Sequence, residues 1–290
     1  MIMDWAAGGA FVVGTGLDAS RGNLLDGTPC WIELVTTNVD KACEFYAGLF
    51  GWEYETHHDP RAGLHVIAAH EGFPVASIRD SADGRSQWRL FLAAADSART
   101  AAEAGKLGAQ IIVPRSRVPE LGVKLVLTSP AGDEFGLLEP DPSWQFDVGL
   151  PGTLVWAELV TIKAQTADHF YAELFGYTAE QFGTEHRTGY EVWYLDEDSV
   201  LARVSMIREH MSAEARPHWL LYLGVDEEVG TDELVHRVVA LDGRIRVDPY
   251  DSSLGRVAVL RDPTGARFAI VDPSQASEYG TAGNDDPYDD

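Results

Sequence analysis

The sequence predicts an α+β protein made of two copies of one module, each built from two βαβββ units. The segment Gly-Thr-Pro-Cys-Trp-Ile-Glu-Leu, which begins at Gly27, returns 125 residues later as Gly-Thr-Leu-Val-Trp-Ala-Glu-Leu from Gly152. Over residues 27–55, 15 of 29 positions are identical to their partners in the second copy. The order strand, helix, three strands can be followed twice within each copy. A length of 290 residues also suits two domains of ordinary size.

The first copy shows the unit most clearly. Alternation over residues 31–35 predicts a strand, and apolar residues at three- and four-residue spacing over 42–50 predict an amphipathic helix that ends at Gly51. Strands are predicted to follow at 52–55, 64–69 and 73–78. The second unit is predicted to contain a strand at 87–92, a helix from Asp96 or Ser97 to about Leu107, and strands at 110–113, 124–127 and 135–138.

The second copy repeats this order. Its predicted elements are a strand at Trp156, a helix ending at Gly176, strands at 191–195, 200–206 and 218–223, a helix at 232–241, and strands at 256–260 and 267–271. The motif Pro-x-Gly-x-x-Phe closes both copies, at 130–135 and 263–268. The predicted organisation is an N-terminal arm (1–26), a first module (27–140), a linker (141–151), a second module (152–273) and an acidic flexible tail (274–290).

The excess of acidic residues limits the kinds of macromolecule that the protein can bind. The chain has 22 Lys and Arg against 46 Asp and Glu, a net charge of −24, which disfavours binding to nucleic acid or to a membrane surface. No apolar run is long enough to span a membrane, and the first residues make a poor signal peptide because Asp4 stands where basic residues are expected. The two cysteines, Cys30 and Cys43, are too few for a disulfide framework. A cytoplasmic protein with reduced thiols is predicted.

The order of these motifs resembles the vicinal oxygen chelate superfamily, which includes glyoxalase I, extradiol dioxygenases and bleomycin-binding proteins. The resemblance rests on Gly-Thr-x-x-Trp-x-Glu-Leu, Phe-Tyr-x-x-Leu-Phe-Gly and Pro-x-Gly-x-x-Phe, covers residues 27–273, and is greatest to tandem glyoxalase-like proteins of actinobacteria. It implies that each βαβββ unit forms a half-cup and that facing half-cups enclose a pocket. It does not imply one function, because this scaffold supports many chemistries.

The resemblance also implies where a metal would bind, on the first and last strands of each unit. Those positions are occupied here by Trp31, Ser77, Arg89 and Gly136 in the first module and by Trp156, Arg203, Leu220 and Ala269 in the second. None of these residues suits a divalent metal, which prefers His, Asp, Glu or Cys. We therefore predict no metal and no other cofactor, and the metal-dependent reactions of the superfamily are not expected.

An aromatic lining is predicted in place of the metal. Trp31 and Trp156 take the first ligand positions, and large aromatic side chains in a concave site suit a planar ligand. The further candidates for ligand contact are Trp88, Phe91, Trp193, Trp219 and Tyr222. The alternative is that these aromatic residues fill the core beneath the helices.

Polar candidates accompany the aromatic ones. Glu33 and Glu158 share a strand face with the tryptophans and could contact a ligand, act as a general base, or form a salt bridge with Arg89 or Arg203. Ser77 is included as a ligand contact. The histidines near the start of the first module, His65 among them, are interpreted as surface residues.

The leading hypothesis is metal-independent binding of a hydrophobic, aromatic small molecule, for sequestration, self-resistance or assistance to a biosynthetic enzyme such as one acting on an aromatic polyketide. One alternative is a metal-free isomerase, cyclase or hydroxylase of polyketide tailoring, with Glu33 or Glu158 as base. Another is an interaction partner of an oxidase. A monomer that mimics a dimer, or a homodimer, would fit the duplication.

Overall fold

The protein is described from a computed structural model that covers residues 24–59, 63–182, 189–206 and 216–276. Most of the predicted arm (1–26) and of the predicted tail (274–290) lies outside these ranges. None of the described helices is long and apolar enough to cross a membrane.

The first module folds as two βαβββ units in a row. Its elements are β1 (Pro29–Thr36), α1 (Val39–Phe50), β2 (Glu53–Asp59), β3 (Gly63–His70), β4 (Phe73–Asp80), β5 (Gln87–Ala93), α2 (Ser97–Lys106), β6 (Gln110–Val118), β7 (Gly122–Thr128) and β8 (Glu134–Pro140). These eight strands form one curled sheet in the order β2-β3-β4-β1-β5-β8-β7-β6.

The second module repeats this arrangement. Its elements are β9 (Leu154–Thr161), α3 (Ala164–Phe175), β10 (Thr178–Phe182), β11 (Tyr190–Leu195), β12 (Asp198–Ser205), β13 (His218–Gly224), α4 (Thr231–Ala240), β14 (Arg244–Ser252), β15 (Gly255–Arg261) and β16 (Arg267–Asp272), followed by a short 3-10 helix (Pro273–Gln275). The sheet order is β10-β11-β12-β9-β13-β16-β15-β14. The predicted α+β fold class with two tandem modules is confirmed.

Two strands of the second module, β10 and β14, are additional to the predicted elements. Both lie at an edge of their sheet, and most of their side chains are exposed or half-buried. A strand with no buried face lacks the apolar alternation by which strands are recognised in a sequence.

The duplicated motif forms the centre of each sheet. β1 pairs in parallel with β4 and antiparallel with β5, and every residue of β1 is buried. The helix that follows begins where the Asn38 side chain accepts a hydrogen bond from the backbone N–H of Lys41, and it ends at Gly51, whose φ is 73°. Gly176 ends α3 in the same left-handed conformation, with φ 77°.

The helices cover one face of each sheet and pack between the modules. α1 contacts α4, and α2 contacts α3. The Tyr46 hydroxyl donates to Asp262 Oδ2 at 3.3 Å, and the Tyr171 hydroxyl donates to Asp133 Oδ2 at 2.6 Å, so equivalent tyrosines reach across in both directions. The two modules therefore share a hydrophobic core on their helical faces. We call the opposite face of each sheet the cup of its module.

Candidate functional site

The cup of the first module contains a cavity of about 460 Å³. Its walls come from β1, the β2–β3 hairpin, β4, β6, β7 and the segment after β8. Apolar side chains cover much of the wall, among them Trp31, Ile67, Pro74, Leu125 and Trp144. A volume of this size is typical of a site for a small organic ligand.

A buried ion pair lies in this cavity. The Lys124 ammonium hydrogen-bonds to Glu33 Oε2, and both side chains are almost fully buried. Arg79 Nε and Arg89 Nη1 lie 3.8 Å and 3.9 Å from Glu33 Oε1. One carboxylate therefore faces three cationic groups at the inner end of the cavity.

The charges around Glu33 determine its protonation. Burial would raise the pKa of the Glu33 carboxyl, but Lys124 and Arg79 outweigh burial and lower that pKa to about 2. Burial lowers the pKa of Lys124 from its ordinary value, and Glu33 opposes this shift. Because the two charges stabilise each other, Glu33 is a carboxylate at neutral pH.

Trp31 is fixed by the same group of side chains. Its indole N–H donates to Ser77 Oγ at 2.9 Å, and the Ser77 hydroxyl donates to Glu33 Oε2 at 3.4 Å. The Trp31 ring also packs against Phe146, with centroids 5.3 Å apart. These contacts hold one aromatic wall of the cavity in a single orientation.

His65 also lines the cavity, and its interpretation as a surface residue is wrong. Only 7% of its surface is exposed, because β3 turns this side chain into the cup. Burial and the Lys124 charge lower the pKa of His65 to about 4, so its imidazole is neutral at pH 7.

Three polar atoms of the cavity wall are buried without a hydrogen-bond partner among the described residues: Glu33 Oε1, His65 Nε2 and Trp144 Nε1. Glu33 Oε1 can only accept a hydrogen bond, and the Trp144 indole N–H can only donate one. A buried polar atom without a partner is costly, and a polar ligand would relieve that cost.

Two more predicted contacts lie beside the cavity. Phe91 is fully buried beneath Lys124, whose Nζ lies 5.5 Å from the ring centroid. Arg89 directs its Nη2 to Glu134 Oε2 at 2.8 Å and forms part of the cationic surroundings of Glu33. Both side chains support the inner end of the cup.

Four predicted contacts lie on the helical face instead. The Trp88 indole N–H donates to the Tyr46 hydroxyl at 3.0 Å, and Trp193 and Trp219 pack on the ring of Tyr171. Arg203 binds Asp168 of α3 through Nε and Nη2, both at 2.9 Å. These three tryptophans therefore fill the core beneath the helices, which was the alternative to ligand contact.

The position of Arg203 follows from the strand register. Glu158 lies opposite Ala202, just as Glu33 lies opposite Ser77. Ala202 is therefore the counterpart of Ser77, and Arg203, one residue further, points to the other face.

The cup of the second module carries the remaining predicted contacts, Trp156, Glu158 and Tyr222. Glu158 accepts hydrogen bonds from the Tyr190 hydroxyl at 2.9 Å and from the Tyr222 hydroxyl at 2.7 Å. Val257 stands at the position equivalent to Lys124 and belongs to an apolar cluster with Trp156 and Tyr222. Tyrosines and apolar groups thus surround this glutamate, where cations surround Glu33.

The side chains that the sequence analysis overlooked include Lys124, Arg79 and Tyr190. Lys124 had a recognisable signal, because it occupies an inward position of the otherwise apolar strand Gly-Val-Lys-Leu-Val-Leu-Thr. Arg79 and Tyr190 are placed by cross-strand register, and nothing in their local sequence marks them.

Comparison with known proteins agrees with this architecture. Residues 31–138 match the family model of the glyoxalase-like domain. CFP32 of Mycobacterium tuberculosis, provisionally named a glyoxylase, is 30% identical over 268 residues, covering 88% of this chain and 98% of the relative. The anthracycline biosynthesis protein DnrV of Streptomyces peucetius is 29% identical, covering 85% of this chain and 93% of DnrV. The chain therefore belongs to the glyoxalase-like family, within the vicinal oxygen chelate superfamily.

Solved structures share the fold at low sequence identity. A Mn(II)-bound glyoxalase from Novosphingobium aromaticivorans superposes with a TM-score of 0.59 at 15% identity, covering 88% of this chain and 87% of that one. Homoprotocatechuate 2,3-dioxygenase from Brevibacterium fuscum gives a TM-score of 0.61 at 15% identity, covering 90% and 83%. At this identity the likeness concerns the fold alone.

The residues of the first cup do not fit the metal that a structural neighbour binds. The described residues contain no group of three or more His, Cys, Asp or Glu placed to hold an ion. At Gly136, moreover, a side chain has no room, because its Cβ would lie 2.1 Å from the Phe91 ring. The cup thus combines one carboxylate with three cations, a set that suits a polar organic ligand better than a divalent cation.

Proposed function

We propose that the protein binds a planar, hydroxylated aromatic small molecule in the first cup, without a bound metal. The observation that carries this proposal is the pairing of aromatic walls with unpartnered polar atoms. Trp31 and Trp144 offer ring surfaces, while Glu33 Oε1 and the Trp144 N–H offer an acceptor and a donor. A flat molecule with a hydroxyl and a carbonyl oxygen would satisfy both features.

The charges of the cup favour a phenolic group next to Glu33. The carboxylate accepts a hydrogen bond from an acidic hydroxyl, and Arg79 and Arg89 stabilise the negative charge that then spreads over both oxygens. His65, neutral and without a partner at Nε2, can donate or accept according to its tautomer. Ring hydroxyls at the inner end of the cavity therefore match the polar groups found there.

The relatives support a role in the metabolism of aromatic natural products. DnrV and its Streptomyces counterpart DauV are named anthracycline biosynthesis proteins, and both match this chain over most of its length. Anthracyclines are planar aromatic polyketides, the ligand class that the cup favours. We infer that this protein sequesters such a compound or presents it to a biosynthetic enzyme.

Binding is favoured over turnover by the state of Glu33. A carboxylate with a pKa of about 2 is a weak base and removes a proton from a substrate inefficiently near pH 7. Glu158, the other candidate base, already accepts two tyrosine hydroxyls. Glu33 is thus suited to anchor a ligand.

A fluorescence titration tests this proposal. The ligands are 1,8-dihydroxyanthraquinone, which is flat and hydroxylated, and anthracene, which is flat and apolar. We expect saturable quenching of tryptophan emission by the quinone and much weaker binding of anthracene. Trp144→Phe, which keeps a ring but removes the N–H, should weaken quinone binding about tenfold, the effect of one hydrogen bond of ~1.5 kcal/mol.

A matched pair of variants locates the site. Ile67→Trp should fill the first cavity and abolish binding, whereas Val192→Trp, at the equivalent position of the second module, should leave it intact. Equal binding of anthracene and the quinone, or binding that survives Ile67→Trp, would contradict the proposal.

A further inference from the structure

The second module carries a row of arginines across three neighbouring strands. Arg244 of β14 lies directly opposite Arg261 of β15, and Arg261 lies directly opposite Arg267 of β16. Like charges directly opposite each other destabilise a sheet. In a chain with a net charge of −24, such a concentration of positive charge calls for an explanation.

The row lies at the rim of the second cup. Val259 and Ala269 belong to the apolar cluster inside the cup, and Arg261 and Arg267 are two residues away from them along their strands. Residues two apart on a strand share a face. The two guanidinium groups are therefore directed to the mouth of the cup, away from the core between the modules.

No carboxylate of the described residues pairs with Arg261 or Arg267. Arg261 Nε is buried, and none of the described residues forms a hydrogen bond with it. Arg267 Nη1 lies 3.3 Å from His218 Nε2, and His218 Nδ1 lies 2.9 Å from the carbonyl oxygen of Arg216. This geometry suits a neutral His218 that donates from Nδ1 and accepts from Arg267, so it supplies no negative charge.

The pKa values agree with this geometry. Burial and the charges of Arg261 and Arg246 lower the pKa of Arg267 to about 10. Burial and the neighbouring arginines also lower the pKa of Arg261. The protonated form of each guanidinium is thus destabilised by its surroundings, and a bound anion would oppose that effect.

The fold does not require this row, because the first module lacks it. There, Gln110 lies opposite Thr128, and Thr128 lies opposite Glu134. These residues occupy the positions of Arg244, Arg261 and Arg267. Glu134 is already bound by Arg89 and by Gln87, whose Nε2 is 2.7 Å away. The first module thus has neutral or acidic residues at the three positions where the second module has arginines.

We propose that the arginine row of the second module binds a small oxyanion, a carboxylate or phosphate group of a small-molecule ligand. Guanidinium groups donate paired hydrogen bonds that match both oxyanions, and an anion would offset the repulsion along the row. This site is separate from the first cup and does not depend on the proposed function there.

Titration by NMR at constant ionic strength tests the proposal, with inorganic phosphate and benzoate as the two ligands and chloride as the balancing ion. We expect at least one of them to bind saturably to the full-length protein. Arg261→Gln and Arg267→Gln should each weaken that binding about tenfold or more. The anion that binds identifies which group the site prefers.

Arg256→Gln is the matched control. Arg256 lies on the same strand as Arg261, but its guanidinium is already held by Asp232 and Asp251, so its removal should leave anion affinity unchanged. If the arginine variants fail to fold, the melting temperature of the wild-type protein tests for anion binding instead. A bound anion stabilises the folded state, so phosphate or benzoate should raise that temperature above its value in chloride. A melting temperature no higher in phosphate or benzoate than in chloride, the absence of saturation, or equal weakening by Arg256→Gln overturns the proposal.

Discussion

Glu33 and Lys124 form a charged pair inside an otherwise largely apolar cup. Ser77 adds a hydrogen bond, and two arginines lie just beyond hydrogen-bond distance. Such pairs seldom add much to stability as a whole, because both charges lose their hydration. Removing one partner is different, since it leaves the other charge buried without its nearest counter-charge.

The first prediction concerns this pair. Lys124→Met should lower the free energy of unfolding by about 3–5 kcal/mol, because Glu33 then loses its nearest counter-charge. Glu33→Gln should also destabilise the protein, since it leaves the Lys124 ammonium without its carboxylate. The double variant should be destabilised by less than the sum of the two, and urea denaturation of all four proteins measures the coupling. Additive effects would show that the two residues do not interact.

His65 gives the second prediction, on pH. Its pKa is about 4 in the folded protein and 6.5 as an ordinary value, so between these pH values the unfolded chain binds more protons. The contribution of neutral His65 to the free energy of unfolding is complete above about pH 6.5 and is lost as the pH falls towards 4. This contribution amounts to at most roughly 3 kcal/mol. His65→Gln should flatten this part of the stability curve, which denaturant titrations at several pH values measure.

Two other histidines affect the design of that experiment. His218, with a pKa also lowered to about 4, leaves the variant with a remaining slope. His236 is exposed on α4 and lies outside the cavity, so His236→Gln is the control for replacing a histidine by glutamine. An unaltered slope in His65→Gln would mean that His65 is not buried in its neutral form.

At the scale of elements, the register of β5 against β8 shapes the inner end of the first cup. Phe91 lies beside Gly136, and a Cβ at residue 136 would overlap the Phe91 ring at 2.1 Å. Ordinary atoms do not approach so closely, so one of the two residues must remain small.

The third prediction follows from this contact. Gly136→Ala should destabilise the protein by roughly 1–3 kcal/mol through overpacking, and adding Phe91→Leu should recover part of that loss. Gly105 of α2 has open space around it, so Gly105→Ala should be neutral or stabilising, as alanine favours helix. Melting temperatures should be lowest for Gly136→Ala, higher for its double variant with Phe91→Leu, and highest for Gly105→Ala. A Gly136→Ala variant as stable as the wild type would contradict the prediction.

The sequence predicted most elements because they carry buried apolar runs or an amphipathic period that stands out from the polar turns between them. β1 and α1 carry clear strand and helix periods, and the repeat located their copies in the second module. The edge strands β10 and β14 carry no such contrast, so they were not predicted.

The site was less predictable because contacts across strands depend on register. Trp31, Glu33 and Ser77 could be placed from the repeat and the resemblance. Lys124 lies 91 residues from Glu33, and only the folded sheet brings the two together. A shift of one residue placed Arg203 on the wrong face, since successive side chains of a strand alternate.

At the scale of the whole molecule, the modules are joined by matched contacts. The Trp52 indole N–H donates to the carbonyl oxygen of Gly152 at 2.9 Å, and the Tyr177 hydroxyl donates to that of Gly27. Together with Tyr46 and Tyr171, these contacts make a shared interior that neither module could complete alone.

The fourth prediction is that the two modules unfold together. Calorimetry should show a single transition whose calorimetric and van't Hoff enthalpies agree. Asp133→Ala removes the acceptor of Tyr171 and should lower stability by about 1–3 kcal/mol while keeping one transition. Two resolved transitions in the wild-type protein would show that the modules are independent.

The difference between the side chains of the two cups is the central feature of this molecule. The first cup joins a cavity to a charged inner end, and the second encloses its glutamate with tyrosines. We therefore expect aromatic ligands to occupy the first cup alone, while the arginine rim of the second offers a separate place for an anion.

The most direct test is native mass spectrometry of the full-length protein with 1,8-dihydroxyanthraquinone. The expected result is one ligand of unchanged mass per chain, retained in Val192→Trp and absent in Ile67→Trp. Two ligands per chain, a ligand of altered mass, or equal occupancy in Ile67→Trp would contradict the account.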